Sequence, residues 1–288
     1  MAVILITGAN GQLGNELKVA SKSFYGYDFI FTDIDKLDIT DTDQTRDFIK
    51  TAGPDWIINC AAYNLVDKAE SEPDAAMAIN AMAVKNIAGA IHGSDCRFIH
   101  VSSDYVYDGK LSVPYNEDIP ANPSSAYGRS KLAGERYALM HPGTMVIRTS
   151  WLYSSFGNNF VKTILRIAGE KESLRVVFDQ TGTPTYAADL AAAIMFIVSG
   201  VIRNHFAMYA GIFNYSNEGV CTWYDFATEI VKEAGLGCKI YPVLTKDYRQ
   251  LAERPAYSVM DKNKIKENYG LVIPHWRSSL KLCMKLLT

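Results

Sequence analysis

The feature that most constrains the fold is a glycine-rich turn close to the N-terminus. A short apolar run is followed by Gly8, Gly11 and Gly14, and Leu13 and Leu17 then recur at helical spacing. This order predicts a strand, a tight turn and a helix. Glycines at such a turn let the backbone approach a pyrophosphate, and the helix N-terminus faces the phosphates with its partial positive charge. The turn therefore predicts a dinucleotide-binding β-α unit, with these three glycines at the cofactor.

A carboxylate stands at the end of the second predicted strand, where Phe29–Thr32 leads into Asp33. An acid about 20 residues beyond the glycine turn is expected to bind the hydroxyls of the adenosine ribose. Such an acid favours NAD over NADP, but Lys36 is near enough to offset this, so the cofactor preference stays open. Asp38 is a candidate to border the adenine, and a solvated loop acid is an equally good interpretation of it.

Two later strands also end in residues suited to a ligand site. The strand that begins at Trp56 runs into Ala61 and Ala62, small residues that suit backbone packed against a cofactor. The strand that begins at Arg97 delivers Ser103 and Asp104 at its carboxyl end. Ligands of open α/β sheets bind outside these ends. Ser103 is therefore placed where it can donate a hydrogen bond to a substrate carbonyl.

Tyr127 and Lys131 stand four residues apart in a predicted helix, so they share one helical face. A nearby ammonium favours the ionised form of a phenol, which predicts a lowered pKa for Tyr127. A tyrosine tuned in this way can exchange a proton near neutral pH. The chain has 17 tyrosines, so about one such pair is expected by chance. The pair becomes evidence for a catalytic site only together with the glycine turn and Ser103.

Strands alternate with helices along the chain, which predicts an α/β fold with a doubly wound parallel sheet of the Rossmann type. The pattern changes after Trp151. We therefore expect a dinucleotide-binding domain over residues 1–150, joined by a helix over 186–199, and a smaller C-terminal α/β substrate domain over 151–288. With 48% hydrophobic residues, the chain has ample material for such cores.

Composition excludes several classes of partner. The net charge of −2 gives no reason to expect nucleic acid or an anionic membrane. Five widely spread cysteines without a Cys-x-x-Cys pair are typical of reduced cytosolic thiols. No signal peptide and no membrane span are evident, so we expect a cytoplasmic protein.

The glycine turn, Ser103 and the Tyr127/Lys131 pair together resemble the extended short-chain dehydrogenase/reductase superfamily. Further blocks, in the same order along most of the chain, resemble the dTDP-4-dehydrorhamnose reductase family. These blocks are Asn59–Glu70, Ser102–Tyr107, Arg148–Trp151, Gly157–Phe160 and Asp179–Thr185.

The resemblance implies NADPH- or NADH-dependent reduction of the C4 keto group of a dTDP-4-keto-6-deoxy sugar, and it leaves a homodimer open. It implies that Tyr127 protonates the C4 oxygen while Lys131 binds the nicotinamide ribose and tunes Tyr127. Ser103 stands where the family commonly has threonine, and it keeps the hydroxyl. The remaining implied contacts are Gln12, Leu13, Ala61, Ala62 and Tyr63 for the cofactor, Asp104, Tyr105 and Trp151 for the sugar, and Arg254 for a nucleotide phosphate or, equally, a surface salt bridge.

Some family members hold magnesium between subunits through acids that include two positions identifiable here. Glu16 fits the first position, but Ala188 occupies the second, and Asp189 follows on a different helix face. A magnesium ion needs several well-placed oxygens, so we expect no metal. Separately, Asn80 is polar within an apolar helical stretch, where it either bonds to backbone or braces the active site.

Two alternatives stay open. One is a nucleotide-sugar epimerase or 4,6-dehydratase of the same superfamily; the dehydratases use an Asp-Glu pair after the Ser/Thr, whereas Tyr105 follows Asp104 here. The other is a non-catalytic regulatory subunit resembling that of methionine adenosyltransferase. An intact Ser103, Tyr127 and Lys131 argues against a silent protein.

Overall fold

A six-stranded parallel sheet forms the centre of the computed structural model, which describes residues 1–248 and 250–287. Its strand order is β10-β5-β4-β3-β1-β2. The central strands are apolar runs, and every residue of β3 and β5 is buried, as expected of parallel strands covered on both faces. The strands are β1 (Ala2–Thr7), β2 (Tyr27–Phe31), β3 (Trp56–Asn59), β4 (Arg97–Ser103), β5 (Thr144–Thr149), β6 (Leu152–Tyr153), β7 (Ser173–Val177), β8 (Thr181–Gly182), β9 (Thr185–Tyr186), β10 (Gly211–Asn214), β11 (Cys221–Thr222) and β12 (Lys239–Val243).

Helices cover both faces of the sheet. Alternate residues of β1 point to opposite faces: Ile4 and Ile6 join a core with α1 and α8, whereas Leu5 joins a core with α2 and α5. The α/β doubly wound fold class is therefore confirmed. The helices are α1 (Gln12–Ser21), α2 (Thr42–Ala52), α3 (Val66–Ser71), α4 (Pro73–Met77), α5 (Ala83–Ala90), α6 (Ala126–Ala138), α7 (Phe160–Glu170), α8 (Ala187–Ile202), α9 (Trp223–Glu233), α10 (Asn263–Tyr269) and α11 (Trp276–Met284).

A separate apolar core lies among the elements that follow residue 150. It joins α7, α9 and α11 through residues such as Val161, Phe226 and Trp276, all fully buried. However, β10 pairs with β5 in the main sheet, and α8 packs against α1. The chain thus returns to the first core after building part of the second, and the domain boundaries given above stay a prediction.

A π-helical turn over Ala78–Met82 interrupts the helical stretch between α4 and α5. The sequence predicts one continuous helix from Pro73 to about Ile91, because Met77, Ala81, Val84 and Ala88 fall on one stripe. Asn80 lies inside this turn and is buried. Within the described residues, no helix is both long and apolar enough to cross a membrane.

Candidate active site

A cavity of about 870 Å³ lies at the carboxyl ends of the central strands. Thr7, Cys60, Ser103 and Thr149, which end or directly follow β1, β3, β4 and β5, all line it. The sheet topology therefore brings distant parts of the sequence to one place. Of the predicted site residues, those that line it are Gly8, Gly11, Gln12, Leu13, Asp33, Asp38, Ala61, Ala62, Ser103, Asp104, Tyr105, Tyr127, Lys131 and Trp151.

The glycine turn leaves no room for side chains. Gly8 has a φ of 66°, and a Cβ atom there would lie 2.4 Å from the backbone nitrogen of Ala61. A Cβ atom on Gly14 would lie 2.5 Å from Cα of Ala9. Gly14 does not line the cavity; its role here is the close packing of α1 on the turn. Because α1 begins just after Gly11, its N-terminus faces the cavity, which suits a pyrophosphate.

Asp33 fixes the turn from the end of β2. Its Oδ2 accepts a hydrogen bond from the backbone nitrogen of Asn10 at 2.8 Å, and its Oδ1 accepts one from Ile34 at 2.9 Å. The side chain of Asn10 in turn accepts a hydrogen bond from Nζ of Lys18 at 3.0 Å. Lys36 is exposed in the next turn. Lys18 is therefore linked to Asp33 through Asn10, a connection that the sequence analysis missed because Lys18 lies on α1.

Ser103 and Asp104 lie where β4 ends, and both are buried. The Ser103 hydroxyl donates to Oδ1 of Asp104 at 3.1 Å and accepts from the backbone nitrogen of Tyr105 at 3.2 Å. Burial raises the pKa of Asp104 to about 6, although hydrogen bonds from Ser258 and Ser103 oppose the rise. The carboxyl group is thus poised to titrate near neutral pH.

Tyr127 lies in the first turn of α6, which Ser125 caps by accepting a hydrogen bond from the backbone of Gly128. Its hydroxyl donates to Oδ1 of Asn64 at 3.3 Å, and its ring meets Tyr105 edge-to-face. Burial raises the pKa of Tyr127 to about 12; a hydrogen bond with Ser103 lowers it in part. The prediction of a lowered pKa is therefore wrong in this environment, because desolvation of the phenolate dominates.

Lys131 is buried behind Tyr127, with only 2% of its surface exposed. Its Nζ donates to the backbone oxygen of Val101 at 2.7 Å. Burial lowers the pKa of Lys131 to about 8, and the charge of Glu135 opposes that change most strongly. The ammonium is therefore held by β4, at the base of the cavity.

Asn80 braces the segment that carries Tyr63. Its Oδ1 accepts from the backbone nitrogen of Tyr63 at 2.9 Å, and its Nδ2 donates to the Tyr63 oxygen at 3.0 Å and to Oγ of Ser130 at 2.9 Å. Both interpretations of Asn80 thus hold: it bonds to backbone, and it links that backbone to the helix of Tyr127. The Tyr63 side chain itself bonds to Glu72 and does not line the cavity.

An aromatic pair forms the opposite wall. Trp151 has a φ of 47°, which is uncommon for a bulky residue, and its indole stacks on Trp223 with centroids 3.6 Å apart. Gly182 makes room for it, since a Cβ atom there would lie 2.7 Å from the Trp151 ring. Trp223 opens α9 behind a Thr222/Asp225 capping box. The sequence analysis missed Trp223; the capping box was the available signal that α9 begins there.

Arg254 lies outside the cavity lining and forms an ion pair. Its guanidinium donates two hydrogen bonds to Asp67, at 2.8 and 2.9 Å, and hydrogen bonding with Arg254 lowers the pKa of Asp67 to about 2. The Arg254 side chain is 22% exposed. The structure therefore shows Arg254 in a salt bridge, which was one of the two interpretations of this residue. The salt bridge links the segment before Pro255 to α3.

Glu16 and Asp189, the acids considered for a metal, each have protein partners. Glu16 accepts from Ser154 at 2.6 Å, and Asp189 accepts from Asn217 at 2.6 Å and Ser279 at 2.5 Å. Burial raises the pKa of Glu16, and the charge of Asp189 adds to the rise. Within residues 1–248 and 250–287, no group of three or more His, Cys, Asp or Glu side chains is arranged to hold a metal ion.

This geometry agrees with comparisons against known proteins. A family model described as the RmlD substrate binding domain matches residues 1–288. The chain belongs to the RmlD substrate binding domain family. Spore coat polysaccharide biosynthesis protein SpsK of Bacillus subtilis, one relative, is 40% identical over 98% of this chain and 96% of its own length.

Other proteins that are similar to this chain have names that state an activity. The dTDP-4-dehydrorhamnose reductase of Aggregatibacter actinomycetemcomitans is 39% identical over 98% of each chain. The crystal structure of the dTDP-4-dehydrorhamnose reductase of Bacillus anthracis in complex with NADP is 37% identical, covers 99% of both chains and superposes with a TM-score of 0.92. The resemblance to this reductase family is therefore confirmed.

Proposed function

We propose that this protein reduces the C4 keto group of dTDP-4-dehydrorhamnose to give dTDP-L-rhamnose, with NADPH or NADH as the reductant. The observation that carries the proposal is that Ser103, Tyr127 and Lys131 line the same cavity as the glycine turn. The family relationship supplies the substrate class.

The raised pKa of Tyr127 suits a proton donor. At neutral pH its phenol is protonated, so it can give its proton to the oxygen that becomes negative during reduction. The Ser103 hydroxyl, which also acts on the pKa of Tyr127, would turn its proton from Asp104 to the same oxygen. The Lys131 ammonium then stabilises the negative charge left on Tyr127 and binds the ribose.

The fit to a dinucleotide rests on the glycine turn: a side chain at Gly8 would clash with the backbone of Ala61, and one at Gly14 would clash with the backbone of Ala9 and push α1 off the turn. Gly11, Gln12 and Leu13 would hold the pyrophosphate, and Ala61 and Ala62 would pack on the nicotinamide half. Bound there, a reduced nicotinamide supplies the hydride.

Asp33 and Lys18 support use of either cofactor. Asp33 suits the free ribose hydroxyls of NADH, whereas Lys18, held at Asn10, supplies a cation for the extra phosphate of NADPH. Asp38 lines the cavity beyond Asp33 and is proposed to border the adenine.

The sugar is proposed to lie between Asp104 and Tyr105 on one side and Trp151 on the other. Trp223 extends the aromatic wall, where rings pack on the apolar face of a sugar or base. Arg254 would reach the nucleotide phosphates only after leaving Asp67, so we assign it to the rim of the site.

Location in the cytoplasm and assembly as a homodimer complete the proposal. The described cysteines are all free thiols, which suits a reducing compartment. Size-exclusion chromatography with light scattering tests the dimer, and a monomeric mass rejects it.

The decisive experiment is stoichiometry. Purified protein is incubated with dTDP-4-dehydrorhamnose and NADPH or NADH, and nicotinamide absorbance is compared with sugar product by mass spectrometry. We expect one cofactor oxidised per sugar reduced. Sugar turnover without net cofactor oxidation indicates an epimerase or dehydratase, and no turnover at all indicates a regulatory subunit.

A further inference from the structure

A buried ion pair lies behind the catalytic helix, outside the cavity. Glu135 on α6 accepts hydrogen bonds from Arg148 on β5: Nη2 lies 2.6 Å from Oε2, and Nε lies 2.9 Å from Oε1. The two side chains are 1% and 3% exposed. Moving two charges out of water costs a large desolvation free energy for each, so we expect this buried pair to have a function.

The Glu135 carboxylate is fixed from two strands. Besides Arg148 on β5, the hydroxyl of Ser102 on β4 donates to its Oε1 at 2.6 Å. Ser102 directly precedes Ser103 in the sequence. Glu135 follows Lys131 by four residues on α6, so both lie on one helical face. The carboxylate therefore has a fixed place one turn behind the Lys131 ammonium.

Few charges face Lys131 in this buried environment. Its hydrogen-bond acceptor, the Val101 carbonyl, is neutral. Burial raises the pKa of the Cys60 thiol, at the end of β3, to about 12. Burial also lowers the pKa of His100, on β4, well below its ordinary value, so both groups are neutral at physiological pH. Two groups raise the pKa of Lys131, Glu135 more than Cys60, and the Cys60 thiol keeps its proton at physiological pH.

We propose that Glu135 is a positioning residue that acts through Lys131: its carboxylate, fixed by Arg148 and Ser102, keeps the buried Lys131 amine in its charged form. A buried amine retains its proton only where an anion compensates for lost hydration. The positive charge of Arg148 offsets part of the electrostatic effect of Glu135 on Lys131.

The role in catalysis rests on the proposed function. Proton donation leaves a negative charge on Tyr127, which a charged Lys131 stabilises and a neutral amine does not. Activity should therefore fall as pH rises through the pKa of Lys131. Removing the Glu135 carboxylate lowers that pKa, so the alkaline limb of the activity profile moves to lower pH.

The test compares Glu135→Gln with Arg148→Met in pH profiles of kcat and kcat/KM. We expect Glu135→Gln to move the alkaline limb down by about one pH unit or more, the usual effect of one nearby charge. Arg148→Met removes the cation that is paired with Glu135, so the carboxylate then acts on Lys131 alone. This variant should not move the alkaline limb to lower pH. A limb that stays in place in Glu135→Gln, or moves down in both variants, overturns the proposal.

Two further variants serve as controls, one for the loss of an exposed carboxylate and one for a folding defect. Glu170→Gln removes the carboxylate of an exposed Arg166 pair on α7 and should leave the limb in place. If Glu135→Gln does not fold, the double variant Glu135→Gln/Arg148→Met removes both buried charges, a change that proteins often tolerate. It should still lower the limb, and a wild-type limb in the double variant contradicts the proposal.

A direct titration separates this inference from the reductase assignment. Protein labelled with ¹³C at lysine Cε is titrated by NMR, and the Lys131 signal is assigned with Lys131→Met. Glu135→Gln should move the Lys131 titration to lower pH whether or not the sugar is the right substrate. An unchanged titration overturns the inference, whereas a shifted titration in a protein that reduces no sugar overturns only the proposed function.

Discussion

The two walls of the cavity are built in different ways. Ser103 and Lys131 are buried polar groups held by the end of β4 and by α6, with short hydrogen bonds to neighbours such as Val101. Trp151 and Trp223 are partly exposed rings that rest on the second apolar core. The first wall can place and tune protons, while the second can only exclude water and fit a shape. The difference predicts that chemistry takes place at the sheet wall and that the aromatic wall contributes substrate affinity.

The largest expected effect comes from Tyr127→Phe, on the sheet wall. Loss of the proposed proton donor should lower kcat by about 10²–10⁴-fold. Cofactor affinity, measured by quenching of protein fluorescence, should change little. Tyr137→Phe, a partly buried ring later on the same helix, is the matched control and should keep full activity. Near wild-type turnover in Tyr127→Phe would remove Tyr127 from the mechanism.

On the aromatic wall, Trp223→Ala should act mainly on KM. An aromatic pair contributes about 0.5–1.5 kcal/mol beyond its buried area, so KM for the sugar nucleotide should rise about 3- to 10-fold, with kcat nearly unchanged. Trp223→Phe retains a ring and should recover most of the affinity. A loss confined to kcat would contradict the division between the walls.

Asp33→Ala examines the far end of the sheet wall. The variant loses hydrogen bonds to the ribose hydroxyls but also loses repulsion of the extra phosphate, so KM for NADH should rise by roughly tenfold and KM for NADPH by less. Asp35→Ala, an exposed acid two residues later, is the control. Equal losses for both cofactors would indicate that Asp33 acts only by anchoring the Asn10 backbone.

The smallest expected effect is that of a chelator. The family resemblance puts Ala188 where a second acid would be needed, so EDTA should leave the initial rate of sugar reduction unchanged. The assay compares rates before and after dialysis against EDTA. A loss that magnesium restores would show that Glu16 and Asp189 hold a metal despite their protein partners.

Much of this architecture follows from local sequence patterns. The glycine turn, the apolar strands and the polar residues at their ends predict a doubly wound sheet, and that fold class is confirmed. Parallel strands bring their carboxyl ends to one edge, so Ser103, Asp33 and the glycines were expected to meet. Their individual roles stay predictions.

Other features depend on contacts that no local pattern contains. Lys18 contacts Asn10 of the glycine turn from within α1, and Trp223 stacks on Trp151 from the start of α9. The π-helical turn holds Asn80, whose side chain bonds to Tyr63 and Ser130 from other segments. Sequence spacing could not reveal these neighbours.

Local sequence patterns show which groups are available: a phenol and an amine one helical turn apart, a hydroxyl at a strand end, and glycines where a cofactor needs room. How those groups behave depends on the folded environment around them. Spacing predicts that Lys131 lowers the pKa of Tyr127, whereas burial raises it to about 12. The physical reason is that a pKa depends on hydration as well as on nearby charges. Helical spacing identifies one nearby charge, whereas the loss of water on burial is decided by the packing of the whole chain.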